Sequence, residues 1–189
     1  MSRTPTWQPE PVRQKLANFT IEDVLDLPSE APRVELVDGR LLPLPSPRID
    51  HQEVSFLLTT WLRRHAPRER WRVVQAIGIA VSADHTFEPD VLVLDADVDP
   101  GRHFVSPEQV ALLVEIVSPG TRRRDRIEKL ADYAAAGVRH YWRVELDPVH
   151  VYAYQRATTG HYELVADSAE LLELAEPFTI KLAIAEITP

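Results

Sequence analysis

The sequence predicts an α/β fold in which a mixed central β-sheet is flanked by helices. Apolar residues recur at helical spacing between Asp50 and about His65, which indicates a helix with one face against a core. The segments Pro89–Asp95 and Val110–Ser118 are almost unbroken apolar runs, which are typical of central strands covered on both faces. Together these patterns indicate a buried sheet covered by helices.

Length and composition indicate one domain. The chain has 189 residues, of which 44% are apolar, so it can bury a substantial core. Residues 1–18 carry several prolines without periodicity and are expected to form a flexible arm, with a single domain over residues 19–189. The chain has no cysteine, which excludes disulfides and thiolate metal sites. A bound metal would therefore be a hard cation such as Mg²⁺.

Turn and capping signals predict the elements before the main helix. Thr20 followed by Asp23 resembles a capping box, which predicts a short helix through about Leu27. The segment Arg33–Leu42 places Asp-Gly between two apolar runs, which predicts a tight hairpin.

The chain after His65 contains further strand patterns and one more helix pattern. Trp71–Ser82 is predicted to be one long strand, and a helix from Thr121 to about Ala136 is predicted to end at Gly137. Three later segments are expected to be strands or edge elements: Arg139–Glu145, Val149–Gln155 and 161–189.

The charge distribution limits the function classes. A formal net charge of -8 argues against a protein that coats nucleic acid without specificity, but it does not exclude a nuclease whose carboxylates bind a cation. No signal-like or membrane-spanning apolar run is found, so a cytoplasmic protein without membrane association is expected. Two arginine clusters are expected to be solvated faces: Arg63, Arg64, Arg68, Arg70 and Arg72 in one, and Arg122, Arg123, Arg124 and Arg126 in the other.

Two carboxylates stand out in the strand patterns. Glu115 interrupts a buried apolar run, and an unpaired buried carboxylate costs several kcal/mol. Asp90 opens the preceding strand, so the two side chains can lie side by side if the strands are neighbours. Such a pair would repel unless a divalent cation lay between them. The alternatives are an ion pair of Glu115 with an arginine near Arg122 and a plain turn role for Asp90.

These residues belong to a longer pattern. Pro89-Asp90 precedes Glu115-Ile116-Val117-Ser118-Pro119, which is followed by Asp125, Lys129, Tyr133, Ala136-Gly137-Val138 and Tyr141-Trp142. This combination resembles the Uma-type branch of the PD-(D/E)XK nuclease superfamily, the family of restriction-endonuclease-like proteins in which the lysine has moved onto the following helix. The usual lysine position falls on Val117, and Gly120 stands where the family commonly has serine. The resemblance spans roughly Glu35 to Tyr154.

The resemblance implies a restriction-endonuclease-like core and Mg²⁺-dependent endonuclease activity on DNA, with Mn²⁺ as a substitute. It implies that Asp90, Glu115 and the backbone carbonyl of Ile116 hold the metal. Lys129 would position the attacking water or stabilise charge on the phosphate. The remaining implied residues are Glu35 as a ligand or supporting group, with His51 and Gln75 as supporting groups.

Each of these residues also has a structural interpretation. Lys129 is expected to pair with Asp125 on the surface if it is not catalytic. Glu35 would be solvated beside its hairpin, His51 would pack or cap its helix, and Gln75 would be an ordinary hydrogen-bonded polar group. Three aromatic residues are expected to be core residues and not base-stacking platforms: Tyr133, Tyr141 and Trp142.

Three functions remain open from the sequence. The first is a DNA endonuclease, and the second is a nuclease-fold protein that no longer cuts and acts as a nucleic-acid-binding or assembly module. The third is a carboxylate pair that serves another phosphoester or stores metal. A homodimer is an open alternative to a monomer, since nucleases that cut both strands often pair two sites.

Overall fold

The structure of the protein is a computed structural model that describes residues 18–117 and 129–189. Its chain contacts divide these residues into two compact units. The smaller unit contains the described residues up to Ser46 together with Ala80–Phe87, and the larger contains Pro47–Ile79 and the described part of Glu88–Pro189. The expected arm lies outside the described residues apart from Asn18, and the single domain over 19–189 stays a prediction.

The described residues form three α-helices and thirteen strands. The helices are α1 (Ile21–Leu25), α2 (Ile49–His65) and α3 (Lys129–Ala136). The first seven strands are β1 (Val34–Val37), β2 (Arg40–Pro43), β3 (Trp71–Gln75), β4 (Gly78–Ser82), β5 (His85–Phe87), β6 (Val91–Asp95) and β7 (Phe104–Val105). The other six are β8 (Val110–Val117), β9 (His140–Leu146), β10 (Val149–Arg156), β11 (Tyr162–Ser168), β12 (Leu171–Leu174) and β13 (Ile180–Ala183). No described helix is long and apolar enough to cross a membrane.

The smaller unit is built around the β1–β2 hairpin. Asp38 and Gly39 have φ values of 49° and 69°, as the predicted Asp-Gly turn requires. The Thr20 backbone N–H donates to the Asp23 carboxylate at 2.7 Å, which confirms the capping box of α1. The Leu36 backbone N–H donates to the Thr86 hydroxyl on β5 at 3.0 Å. The two local turn signals therefore predict the hairpin and the start of α1, but not β5.

A six-stranded mixed sheet forms the larger unit, in the order β11-β10-β9-β8-β6-β3. Only β8 and β9 run parallel in it, while the other neighbours run antiparallel. Strand β8 (Val110–Val117) lies between β6 and β9 and is therefore a central strand. Its last six residues are all buried. This sheet confirms the α/β fold class with a mixed central sheet.

The core of the larger unit lies between α2 and the sheet. Apolar residues of α2 at helical spacing, including Val54, Leu58 and Leu62, belong to one buried cluster with Val93 and Val114 of the central strands. Helix α2 thus buries the face that the sequence predicted. The C-terminal strands β12 and β13, which the sequence indicated only poorly, add apolar residues to the same cluster.

The prediction of one long strand over Trp71–Ser82 is wrong. The chain breaks at Ala76, which has a left-handed φ of 51° and donates its backbone N–H to the Asp90 carbonyl at 3.2 Å. Strand β3 ends before this residue in the six-stranded sheet, and β4 begins after it and pairs with β7. Alternating apolar residues continue across the break, so periodicity alone did not reveal it.

Replacing Ala76 by glycine tests the strain at this break. The left-handed conformation costs an alanine about 1–2 kcal/mol, and glycine avoids this cost but loses about 0.5–1 kcal/mol through greater freedom in the unfolded chain. We expect Ala76→Gly to raise the free energy of unfolding by about 0.5–1 kcal/mol in urea titrations. Ala135→Gly, at an exposed position of α3, is the control and should lower it. Equal losses in both variants would contradict the strained conformation.

Candidate metal centre and nuclease site

The neighbouring strands β6 and β8 bring Asp90 next to Glu115. Val91 pairs with Val114 in the antiparallel register, and Asp90 directly precedes β6. The Asp90 backbone N–H donates to the Val114 carbonyl at 3.1 Å, and the Asp90 Oδ2 atom accepts the backbone N–H of Ile116 at 2.7 Å. The strand pairing on which the predicted carboxylate pair depends is therefore present, and the side chain of Asp90 is fixed against β8.

Glu115 and Lys129 form a buried ion pair. Their exposed fractions are 4% and 6%, and the Lys129 Nζ atom donates to Glu115 Oε1 at 2.7 Å. The Tyr133 hydroxyl donates to the same oxygen at 2.5 Å. Lys129 is thus a buried residue directed at the predicted site, which contradicts its alternative interpretation as a surface residue.

Tyr133 is the residue whose role the sequence analysis missed. It is fully buried, as are Tyr141 and Trp142, so the expectation that these aromatic residues belong to the core is correct. Its hydroxyl, however, also orients Glu115. The signal was available in the spacing, because Tyr133 follows Lys129 by four positions on α3 and therefore shares its helix face.

His51 approaches Asp90 from the first turn of α2. The His51 Nε2 atom lies 3.2 Å from Asp90 Oδ1, while its Nδ1 atom is buried without a hydrogen-bond partner within residues 18–117 and 129–189. Burial lowers the pKa of His51, but the hydrogen bond to Asp90 and the charges of Asp90, Glu115 and Asp50 raise it more. The net pKa shift is upward, which shows that the imidazole lies in a negative field.

Gln75 is hydrogen-bonded to helix α2, whereas Glu35 lies on β1 in the smaller unit. The Gln75 side-chain amide donates to the Ser55 hydroxyl of α2 at 2.7 Å, which matches its interpretation as an ordinary hydrogen-bonded group. Ser55 follows His51 by four positions, so both residues connect one face of α2 to the strands beside Asp90. Glu35 is fully buried on β1 in the smaller unit, which contradicts a solvated position, and its role at the site stays a prediction.

The segment that follows β8 lies partly outside the described residues. Residues 118–128, which include Asp125 and the second arginine cluster, are not described. The proposed pairing of Glu115 with an arginine near Arg122 therefore stays an alternative. The predicted helix is described only as α3, which Gly137 follows with a φ of 93°, as expected of a C-terminal cap.

Comparison with known proteins identifies the family to which the chain belongs. The model of the Uma2 family, described as "Putative restriction endonuclease", matches residues 21–185. The chain belongs to this family. The resemblance found in the sequence is thereby confirmed, and membership of the Uma2 family supports a nuclease as the general class of activity. No curated protein matches the chain.

A solved structure shows the same fold. The crystal structure of a protein from Anabaena variabilis, titled "putative nuclease", matches with a TM-score of 0.69 and 18% identity. The match covers 89% of this chain and 97% of that one. At this identity the likeness shows the fold, which agrees with the mixed α/β class derived above.

The oxygen atoms at this site fit a hard cation. Asp90 and Glu115 supply carboxylates on neighbouring strands, and Mg²⁺ is commonly held by one or two carboxylates together with water. Within the described ranges, no group of three or more His, Asp or Glu side chains could hold a metal. The two carboxylates could therefore hold Mg²⁺ only with water or backbone oxygen completing its coordination.

The buried ion pair makes a measurable prediction about stability. Removing one member deprives the other of its buried ion-pair partner, and the loss of one partner of a buried pair costs about 3–5 kcal/mol. We expect Lys129→Met or Glu115→Gln alone to lower the free energy of unfolding by about 3 kcal/mol or more, and the double variant to recover much of this loss.

The exposed pair Lys181–Glu173, at 3.3 Å, is the control for this double-mutant cycle. Its corresponding cycle should give a coupling below about 1 kcal/mol. Urea denaturation of all variants provides the measurement. Equal coupling energies for both pairs would contradict a buried Glu115–Lys129 interaction.

Proposed function

We propose that this Uma2-family chain is a Mg²⁺-dependent endonuclease that hydrolyses phosphodiester bonds in DNA. Asp90, Glu115 and the Ile116 carbonyl would hold the cation, and Mn²⁺ would replace Mg²⁺. The observation that carries the proposal is a buried lysine bonded to a buried carboxylate, beside a second carboxylate fixed on the neighbouring strand. Buried ionisable groups in direct contact, such as Glu115 and Lys129, are a feature of many functional sites.

The side chains at the site would have different roles in hydrolysis. A Mg²⁺ ion held by Asp90 and Glu115 would supply Lewis acidity to the scissile phosphate and to a water molecule. The Lys129 ammonium group would orient that water or stabilise the negative charge that develops on the phosphate oxygens. Tyr133 holds Glu115 in place, and His51 holds Asp90, so both carboxylates are oriented before substrate binds.

A non-cutting nucleic-acid-binding module is the second candidate. The observation that favours it is that Lys129 and Glu115 bond directly to each other, an arrangement that a structural ion pair also explains. This candidate predicts that DNA binds without turnover and that Lys129→Met leaves the binding unchanged. A cleavage assay and a binding assay on the same preparations therefore distinguish the two candidates.

Cleavage assays test the nuclease directly. Supercoiled, linear and single-stranded DNA would be incubated with the wild type and the variants Asp90→Ala, Glu115→Ala and Lys129→Met in Mg²⁺ or Mn²⁺, with all proteins prepared identically. We expect each variant to lose at least about 100-fold in cleavage rate, because each loses a charge that acts on the transition state.

Asp97→Ala removes an exposed carboxylate and is the matched control, which should cleave like the wild type. Circular dichroism would verify that every variant is folded. Cleavage that persists in all variants would indicate another site or a contaminant. Binding without cleavage by the wild type would support the non-cutting module.

A further inference from the structure

A cavity lined by arginines lies at the C-terminal end of α2. Its volume is about 260 Å³, several times the roughly 30 Å³ that one water molecule takes in the liquid. The residues around it come from the end of α2, the turn after it, the start of β3 and the end of β6. They include Arg63, Arg68, Arg72, Trp71 and Ala96. We call this space the arginine cavity.

The guanidinium groups at the arginine cavity carry positive charge that no acidic side chain among residues 18–117 and 129–189 pairs with. Arg63, Arg68 and Arg72 form no ion pair with an acidic side chain in the described part of the chain. The Arg72 Nη2 atom donates to the Ala96 carbonyl at 3.1 Å, which fixes this guanidinium at the wall of the cavity. Three like charges around one small space repel each other, and a bound anion would offset this repulsion.

Helix capping explains only part of this cluster. Arg63, Arg64 and His65 lie in the last turn of α2, where positive side chains favour the helix dipole. Arg68 and Arg72 lie beyond the helix and line the same cavity. The positive charge is therefore concentrated around a concave space in a chain whose net charge is -8, while Arg63, Arg64, Arg68 and Arg70 are exposed, as the expected solvated face requires.

We infer that the arginine cavity binds a backbone phosphate of the nucleic-acid substrate, at a distance from the bond that is cut. Guanidinium groups bind phosphate through paired hydrogen bonds, and phosphate contacts fix the position of a nucleic acid without reading its sequence. This inference rests on the proposed function, since it assigns the cavity to the same substrate.

The length of α2 gives an estimate of the distance between the candidate metal site and the arginine cavity. Arg63 follows His51 by 12 positions on α2, which corresponds to about 18 Å along the helix axis. For a duplex that runs along the axis of α2 and rises about 3.4 Å per base pair, the phosphate in the cavity would lie roughly five base pairs from the scissile bond. A contact that far away contributes to affinity and position and not to the chemical step.

DNA binding as a function of salt tests this inference. The double variant Arg63→Gln/Arg68→Gln would be compared with wild type by fluorescence anisotropy, using labelled duplex and single-stranded oligonucleotides in EDTA to prevent cleavage. We expect binding at least about tenfold weaker near 100 mM salt. The slope of log affinity against log salt should be less steep by about 1 to 2.

Two further variants control for charge and folding. Arg40→Gln/Arg102→Gln removes the same charge from exposed positions outside the cavity and should retain the wild-type slope. Arg63→Lys/Arg68→Lys keeps the charge and should retain most of the slope. In cleavage assays, the glutamine variant should have a higher KM and an unchanged kcat.

The outcomes separate this inference from the proposed function. An unchanged salt slope in the glutamine variant, with cleavage by wild type intact, would overturn the cavity assignment alone. A reduced slope without cleavage by wild type would support the cavity and reject the nuclease. Thermal stabilisation by inorganic phosphate that is lost in the glutamine variant, with DNA binding unchanged, would assign the cavity to free phosphate and overturn the nucleic-acid assignment. Absence of DNA binding by wild type would overturn it as well.

Discussion

The buried carboxylate of Glu115 is the constraint on which the arrangement of the site depends. A carboxylate in a central strand is stable only when cationic and hydrogen-bonding groups surround it. Lys129 and Tyr133 both meet this need from one face of α3, so this helix must pack over β8 at a fixed rotation. The chemistry of one side chain thereby determines how helix and sheet meet.

The same strand also fixes the second carboxylate. Asp90 accepts the backbone N–H of Ile116, so its position depends on the register between β6 and β8 and not on a flexible loop. His51 holds it from α2, and the break at Ala76 places a backbone N–H on the Asp90 carbonyl. A site whose groups are held by strands and helices keeps its geometry better than a site built on loops.

The two ends of helix α2 lie in different electrostatic surroundings. Its first turn faces the carboxylates through His51, and its last turn contributes Arg63 to the arginine cavity. The negative net charge of the chain therefore does not describe the surface that a nucleic acid would meet. A cation held by Asp90 and Glu115 near one end of α2 and guanidinium groups at the other end would offer two places for phosphate.

The sequence predicted the parts of this structure that depend on local signals. Asp38-Gly39 predicted the hairpin, Thr20 and Asp23 predicted the start of α1, and apolar spacing predicted the buried face of α2. The break at Ala76 was missed because an alanine gives no local signal of a positive φ.

The candidate site was predictable to a similar extent. An isolated carboxylate in an apolar run and the resemblance to the Uma family identified Asp90, Glu115 and Lys129. For Tyr133 the sequence predicts only a core position, because its hydrogen bond to Glu115 depends on the rotation of α3 over the sheet. The arginine cavity was not predictable, since arginines close together in sequence indicate neither a concave surface nor the absence of carboxylate partners.

The most direct test of the account is whether Asp90 and Glu115 hold a divalent cation. Mn²⁺ binding would be counted by electron paramagnetic resonance in wild type, Asp90→Asn, Glu115→Gln and the exposed control Asp97→Asn. The account predicts one Mn²⁺ per chain, displaced by Mg²⁺, with affinity at least about tenfold weaker in the Asp90 and Glu115 variants and unchanged in the control. Equal Mn²⁺ binding in all four proteins, or none in wild type, would contradict it.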